Sequence, residues 1–370
     1  MKKPENLKIL LAGGGSGGPV SPLLAVAKTL KTIETHVEFL FVGGRKGPEK
    51  QMAENAELEF VAVSSGKFRR YFSLKNFFTP FLILAGLIAS FRILWQFKPA
   101  VVFGAGSFVQ VPVIWAAWIL RIPCVIHQQD LVPSLANRLC EPFVKNITVC
   151  FEKSITDFSS GLGLFYTKKT SDKVVLTGNP FREELLGKEK NKALKAFGLK
   201  GDLPVLLVLG GGTGSDFLNR LIEKALPELA RSVQILHSWG TRSPKSLEQK
   251  NYKGLPFISD MASAYAAADL VVSRAGLSTL SELSALGKVS IIIPMPHTHQ
   301  EYNAALLSAL NAALVFDQTE LNEQVFARII RKVLFDYPLQ QTLAKNISKI
   351  MLKNSAEKIS KIILKAAHRT

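Results

Sequence analysis

Twice in this chain a short apolar run ends in a cluster of glycines and gives way to a helical pattern. Leu7 to Ala12 leads into Gly13-Gly14-Gly15-Ser16-Gly17-Gly18, and Val205 to Leu209 leads into Gly210-Gly211-Gly212-Thr213-Gly214-Ser215. A strand that turns through glycine into a helix opens a doubly wound α/β domain, because the turn must fold the helix back over the sheet. Glycine also lets the backbone approach a phosphate or a sugar closely. Two such openings imply two Rossmann-like domains facing across a cleft. The length agrees, since 370 residues exceed one ordinary core, and a hydrophobic content of 47% is enough to bury two.

The intervening pattern alternates as such domains require. In the first half, strands are expected at Glu38 to Val42, Glu59 to Val63, Ala100 to Phe103, Cys124 to His127, Ile147 to Cys150 and Lys173 to Leu176. Helices are expected near Leu74 to Gln96, Pro112 to Leu120 and Pro133 to Leu139. Ser21 suits the N-cap of the helix after the first glycine loop, and Pro22 its first position. A further glycine loop, Gly104-Ala105-Gly106-Ser107-Phe108, follows the Ala100 strand. Gly178-Asn179-Pro180-Phe181-Arg182 reads as a linker, dividing residues 1–180 from 181–354. In the second half a helix is expected over Asp216 to Ala230, with strands at Val233 to His237, Leu270 to Ser273 and Ser290 to Pro294. From Gln341 to Ala367 isoleucines recur among lysines as an amphipathic helical tail. Its end, about 355–370, either packs back on the first domain or frays.

The stretch Ser273 to Glu282 carries the sharpest chemical signal. It follows the apolar run Ala268 to Val272 and opens a helix over Ser278 to Leu286. The amides of a helix start lack partners and the summed peptide dipoles favour an anion there. Glu282 lies on the first turns of that helix. A carboxylate accepts from two neighbouring hydroxyls at once, as a ribose presents them; otherwise it only complements the helix dipole. Together these features suggest a nucleotide diphosphate. Gly13, Gly15 and Gly18 also fit the dinucleotide fingerprint, but the second strand ends in Gly43-Gly44-Arg45 instead of an acid. That argues against NAD and leaves NADP formally open through Arg45.

A net charge of +17 favours an anionic partner. Lys67, Arg69, Arg70 and Lys75 are interleaved with Phe68, Tyr71, Phe72, Phe77 and Phe78, a mixture suited to an anionic membrane surface or to the basic rim of a core helix. No nucleic-acid motif appears, so no nucleic-acid partner is expected. The longest apolar stretch, Phe77 to Phe91, contains Pro80 and falls short of the roughly 20 residues that span a bilayer. The run after the basic start reads as a strand, not a signal-peptide core. Cys124, Cys140 and Cys150 have neither metal-site spacing nor an even framework, and read as reduced, packed thiols.

Taken together, Gly13 to Gly18 with Pro22 and Ala25-Val26-Ala27, Gly104 to Phe108, His127-Gln128-Gln129-Asp130, Gly178-Asn179-Pro180-x-Arg182, Gly210 to Gly214, Phe257 to Met261, Arg274 to Glu282 and Gln300-x-x-Asn303 resemble one family. It is the UDP-N-acetylglucosamine–N-acetylmuramyl-(pentapeptide) pyrophosphoryl-undecaprenol N-acetylglucosamine transferases, called MurG, and the resemblance covers nearly the whole chain. It implies the GT-B architecture. It also implies an inverting transfer of N-acetylglucosamine from UDP-N-acetylglucosamine to the 4-hydroxyl of the muramyl sugar of lipid I, the undecaprenyl-diphosphate-linked muramyl-pentapeptide, giving lipid II. The enzyme would work at the cytoplasmic side of the cell membrane as a peripheral protein, with no cofactor and no metal.

The resemblance further implies site residues. The backbone of Ile258 would read the uracil and Glu282 would hold the ribose. Leu277, Ser278, Thr279, Leu280 and Ser281 at the helix start, with Gly212 and Thr213, would cradle the diphosphate near Arg182. Gln300 and Asn303 would hydrogen-bond the N-acetylglucosamine. Gly104, Gly106 and Ser107 would face the acceptor, and Ser16, Gly17 and Gly18 would serve acceptor and donor alike. Two departures matter. Pro19 stands where the family usually has a histidine after the glycine loop, which leaves the general base unassigned. Asp130 stands where the family has an asparagine, either as that base or as a sugar contact. His127 reads as a packed strand-end residue, and His297 and His299 as loop residues, solvated or near the sugar. The other readings of the same motifs are a GT-B transferase acting on diacylglycerol or another lipid, an NADP oxidoreductase, and a binding protein without turnover.

Overall fold

A computed structural model describes residues 6–15, 17–45, 47–64, 79–159, 171–240, 249–352 and 354–367. The chain divides into two compact units, Met1–Phe181 with Leu352–Thr370, and Arg182–Met351.

Among the described residues, the first unit is built on seven parallel strands: β1 (Leu7–Ala12), β2 (Val37–Gly43), β3 (Glu59–Ala62), β4 (Val101–Gly104), β5 (Cys124–Gln128), β6 (Asn146–Val149) and β7 (Val174–Leu176). Their order across the sheet is β3-β2-β1-β4-β5-β6-β7. Helices α1 (Gly17–Ile33), α2 (Glu49–Asn55), α3 (Thr79–Phe97), α4 (Gln110–Ile119), α5 (Leu135–Cys140) and α6 (Glu152–Ser159) connect them. Successive strand residues point to opposite faces, and both faces are covered. Ile9 and Leu11 join Val20, Leu23 and Val26 of α1 in one core, while Leu10 and Ala12 join Leu94 of α3 and Ile114 of α4 in the other. This is why the central strands read as unbroken apolar runs.

The second unit repeats the plan with α7 (Lys190–Phe197), β8 (Val205–Leu209), α8 (Asp216–Leu229), β9 (Gln234–Ser238), β10 (Tyr252–Leu255), α9 (Met261–Ala267), β11 (Leu270–Ser273), α10 (Leu277–Leu286), β12 (Ser290–Ile292), α11 (Gln300–Ala309), β13 (Leu314–Val315), α12 (Glu323–Phe335) and α13 (Tyr337–Ile347). The parallel order is β10-β9-β8-β11-β12-β13. A doubly wound sheet binds ligands where its strand order reverses, beyond the carboxyl ends of the strands. In the first unit that point lies between β1 and β4, below the two loops Gly13–Gly18 and Gly104–Ser107. In the second it lies between β8 and β11, below Gly210–Ser215 and the start of α10.

Two local expectations give way. The first helix begins at Gly17, so Ser21 is not its cap; the Ser21 hydroxyl donates back to the Gly17 carbonyl at 3.1 Å, and Pro22 lies inside the helix. Pro22 has no amide to offer the Gly18 carbonyl, so its penalty falls on a single bond near the helix start. The C-terminal tail is also not one helix. It breaks after α13, passes through Asn354 at φ 63°, and resumes as α14 (Ser355–Ala367). Helix α14 packs on α1, with Ile359, Ile363 and Ala366 in the core beside Ile9 and Leu11. Gly178 faces the start of α14; a Cβ there would stand 2.6 Å from the Ser355 hydroxyl.

Candidate functional site

In the second unit the two loops at the switch point are stitched together from behind. Ser215 caps α8, accepting from the Leu218 amide at 3.4 Å, and also accepts from Arg274 Nε at 3.1 Å. The Arg274 guanidinium goes on to the carbonyls of Ile293 and Pro294 and to Gln318 Oε1. Arg274 is buried, so this cation ties β8, β11 and β12 together at their carboxyl ends. Asn303 is buried as well, and its Nδ2 donates to the Ala275 carbonyl at 3.1 Å. The Ser281 hydroxyl turns back to the Leu277 carbonyl at 2.8 Å. The side chains of Asn303 and Ser281 thus hold the turn.

What the turn presents is backbone. Gly276 is the N-cap of α10 with an ordinary φ of −73°. A Cβ on Gly276 or on Gly212 would meet nothing within 4 Å. Neither strain nor packing requires glycine at Gly276, so the open space lies beside the first-turn amides of α10, at Leu277, Ser278 and Thr279. Leu277 and Leu280 anchor the helix in the core, Ser278 and Thr279 are half-buried, and Thr213 is exposed.

Glu282 sits on the second turn of α10 and is held from two sides. Arg182 directs both Nε and Nη2 at Oε1, at 3.2 and 2.8 Å. The fully buried Tyr265 of α9 donates its hydroxyl to Oε2 at 2.8 Å. Burial, then the adjacent Glu282 charge, push the Tyr265 hydroxyl well above its ordinary pKa, so it remains a donor. Burial lowers the Arg182 pKa, but the Glu282 charge outweighs it and the net shift is upward. Ile258 is buried in the middle of the β10–α9 link, with Phe257 exposed beside it. Gln300 opens α11, its Oε1 accepting from the Met295 amide at 3.1 Å. His297 and His299 lie exposed in the loop before it.

In the first unit a buried carboxylate supports the first glycine loop. Glu49, at the start of α2, accepts from the amides of Gly15 and Gly44, each at 3.0 Å, through Oε1. Side chains on Gly14 or Gly43 would collide with it. Gly17 and Gly18 form the first turn of α1, while Ser16 lies outside the described residues. An amide network fixes the other loop. Gln110 accepts from the Gly106 amide at 2.8 Å and donates to Asn137, whose Nδ2 reaches the His127 carbonyl and Gln128 Oε1. Gly104 lies against Gln110, where a Cβ would be 2.4 Å from Oε1. The Ser107 hydroxyl accepts from the Val109 amide at 3.2 Å.

His127 is fully buried between Thr148 and Asn179, at 2.9 Å from each. Burial lowers its pKa to about 4 against those two hydrogen bonds, so it is a neutral packing residue. Asp130 is half-buried just beyond β5, its carbonyl held by Gln128 Nε2 at 2.8 Å. Farther out, Leu84, Ile88 and Trp95 of α3 and Trp118 and Ile119 of α4 are exposed, and α3 lies along α4. The basic and aromatic residues from Lys67 to Phe78 lie outside the described residues. Among the described residues, no helix is long and apolar enough to cross a membrane.

Sequence reasoning passed over Tyr265, Glu49 and the Gln110–Asn137 pair. Tyr265 sits in an alanine-rich run that looks like plain core. Glu49 had one available signal, an acid in the first turn of a short helix after the second strand.

The chain matches the glycosyltransferase family 28 N-terminal domain over residues 9–149 and the glycosyltransferase family 28 C-terminal domain over residues 205–363. It is 34% identical over 365 residues to the UDP-N-acetylglucosamine–N-acetylmuramyl-(pentapeptide) pyrophosphoryl-undecaprenol N-acetylglucosamine transferase of Clostridium botulinum, covering 97% of this chain and 99% of that one. It is 36% identical over 374 residues to the protein of the same name from Thermoanaerobacter pseudethanolicus, covering 96% and 99%. Among solved structures it is similar to Acinetobacter baumannii MurG, with a TM-score of 0.70 and 24% identity over 98% of this chain and 100% of that one.

Proposed function

The chain belongs to the family of UDP-N-acetylglucosamine–N-acetylmuramyl-(pentapeptide) pyrophosphoryl-undecaprenol N-acetylglucosamine transferases, and from that premise we infer that it is a GT-B enzyme moving N-acetylglucosamine from UDP-N-acetylglucosamine to the 4-hydroxyl of the muramyl sugar of lipid I, giving lipid II. The observation that carries this reading is the Glu282 carboxylate, fixed by Arg182 and Tyr265 beside a helix start whose amides face open space.

The donor belongs to the second unit. Glu282 accepts from the ribose hydroxyls, the Ile258 backbone reads the uracil, and Gln300 meets the sugar. The amides of Leu277 to Thr279, with Gly212 and Thr213, receive the diphosphate. The acceptor belongs to the first unit, at the loops Gly17–Gly18 and Gly104–Ser107. The acceptor oxygen attacks the anomeric carbon opposite UDP, a C–O bond forms, and the bond to the diphosphate breaks with its electron pair. Configuration inverts and the linkage is β. Asp130 takes the hydroxyl proton. Negative charge grows on the leaving diphosphate, and preoriented amides at a helix start stabilise it without reorganising. Binding both substrates in attack geometry supplies a further share of the acceleration.

The exposed apolar residues of α3 and α4 rest on the cytoplasmic face of the membrane, and the net charge of +17 draws the protein to its anionic lipids. This arrangement brings the enzyme to an acceptor that stays in the bilayer. The test is transfer of label from UDP-N-acetylglucosamine in vesicles holding either lipid I or diacylglycerol. Label is expected in the lipid I vesicles alone, and transfer confined to diacylglycerol overturns the assignment.

A further inference from the structure

Arg182 and Tyr265 do not hold Glu282 in the same way. The guanidinium closes on a single oxygen, Oε1, through Nε and Nη2. A fork on one oxygen neutralises the charge but leaves the carboxylate free to swing Oε2 about that point. The Tyr265 hydroxyl fastens Oε2 at 2.8 Å. Donors on both oxygens fix the plane of the group. Of an ionised carboxylate's about four acceptor sites, two on Oε1 and one on Oε2 are taken. Oε2 therefore keeps one site for a hydroxyl, and Oε1 receives a second hydroxyl when it displaces one arm of the Arg182 fork.

Nothing in the packing of α9 asks for a phenol. Tyr265 is fully buried between alanines, where a phenylalanine would fill the same space. A buried hydroxyl carries a desolvation penalty that only its partner removes, and that partner is Glu282.

We propose that Tyr265 is a positioning residue that sets the donor's selectivity for an intact ribose: its hydroxyl holds the Glu282 carboxylate in the plane that accepts from the 2′- and 3′-hydroxyls together. The proposal rests on the donor reading above. It requires that a donor lacking one hydroxyl be rejected strongly, because a fixed carboxylate cannot turn away and is left with an unpaired buried oxygen.

The experiment is calorimetry of UDP and 2′-deoxy-UDP with the full chain and with Tyr265→Phe, alongside steady-state kinetics. The unaltered chain is expected to bind 2′-deoxy-UDP about 100-fold more weakly than UDP. In Tyr265→Phe the freed carboxylate turns, UDP affinity falls about tenfold, and the ratio between the two ligands shrinks to about tenfold or less. The KM for UDP-N-acetylglucosamine rises while kcat and the KM for lipid I hold. A ratio unchanged in Tyr265→Phe overturns the positioning role, whatever the loss of affinity. Equal binding of UDP and 2′-deoxy-UDP to the unaltered chain overturns the donor reading itself, and the proposal with it. Should Tyr265→Phe not fold, Glu282→Asp breaks the same contact from the other side by drawing the carboxylate back one methylene. Selectivity retained there overturns the proposal equally.

Discussion

Gly214 and Gly240 touch backbone to backbone: a Cβ on Gly240 would stand 2.2 Å from both the Cα and the nitrogen of Gly214. A Cβ on Gly214 would in turn stand 2.0 Å from the Trp239 carbonyl oxygen. Both residues take a positive φ, 83° at Gly214 and 87° at Gly240. The contact presses the β8 glycine loop against the end of β9, which is how a loop this exposed keeps one shape. Gly240→Ala is expected to destabilise the second unit by roughly 2–5 kcal/mol, from left-handed strain together with overpacking. The measurement is the urea midpoint of that unit at constant m; an unmoved midpoint contradicts the close approach.

Glu282→Ala removes the acceptor for two ribose hydroxyls and orphans the Tyr265 hydroxyl. Two charge-assisted bonds at roughly 1.5–3 kcal/mol each come to about 3–6 kcal/mol. That is on the order of 10²–10⁴ in kcat/KM for the donor. Stability should also fall by about 1–3 kcal/mol, the penalty of an unsatisfied buried hydroxyl. Nearly unchanged donor kinetics would remove Glu282 from the site.

Acid should weaken both units through their buried histidines. His127, lowered to about 4 by burial against the Asn179 and Thr148 bonds, and His237, lowered to about 3 by burial, are neutral when folded. Unfolded, each titrates near the ordinary histidine value of about 6.5. Between those values the unfolded chain binds more protons, so stability rises with pH there and falls as pH drops from 6.5. Going from pH 7 to pH 5 should cost about 2 kcal/mol per histidine. Replacing His127 with Gln should flatten the acid limb of the first unit, followed by denaturation at the two pH values. An equal acid loss in the variant would show that His127 does not carry it.

Much of this was legible because buried parallel strands are short apolar runs ended by glycine. The strands expected at Leu7 to Ala12, Val205 to Leu209 and Leu270 to Ser273 coincide with β1, β8 and β11 to the residue. Strand β10 escaped notice because Lys253 and Gly254 sit in a half-buried edge strand with no apolar pattern. The misplaced start of α1 came from Ser21, a residue type that favours caps but here lies within the helix. Contacts made across long stretches of sequence leave no local trace. Arg274 looked like part of an anion site, yet its partners are Ser215, Ile293, Pro294 and Gln318. Nothing near Tyr265 in sequence points to Glu282, which becomes its neighbour only when α9 and α10 pack.

The apolar face of α3 offers a direct test of membrane attachment. Ile88 and Trp95 are 64% and 72% exposed, and seven residues apart they lie on one side of the helix. Burying such a side chain gains about 1.5–3 kcal/mol, so Ile88→Glu or Trp95→Glu should each weaken partition into anionic vesicles by about tenfold or more. Affinity for UDP in solution should hold. Co-sedimentation with vesicles measures the first and calorimetry the second; vesicle binding that survives both substitutions would remove this face from the interface.

With Pro19 in the place of the family's histidine, the proton of the acceptor hydroxyl needs another destination. The buried histidine cannot supply it: His127 has both ring nitrogens engaged, by Thr148 and Asn179. Asp130 is half-buried at the end of β5, with its backbone anchored by Gln128 and a carboxylate that asparagine would match in shape. Asp130→Asn therefore separates base from contact. As the base, Asp130 should lower kcat by about 10²–10⁴ on replacement, with the KM for lipid I little moved. As a sugar contact it should raise that KM and leave kcat standing, because asparagine still donates and accepts hydrogen bonds but takes no proton. We expect the loss in kcat. Full turnover in Asp130→Asn would leave the proton to a group other than Asp130.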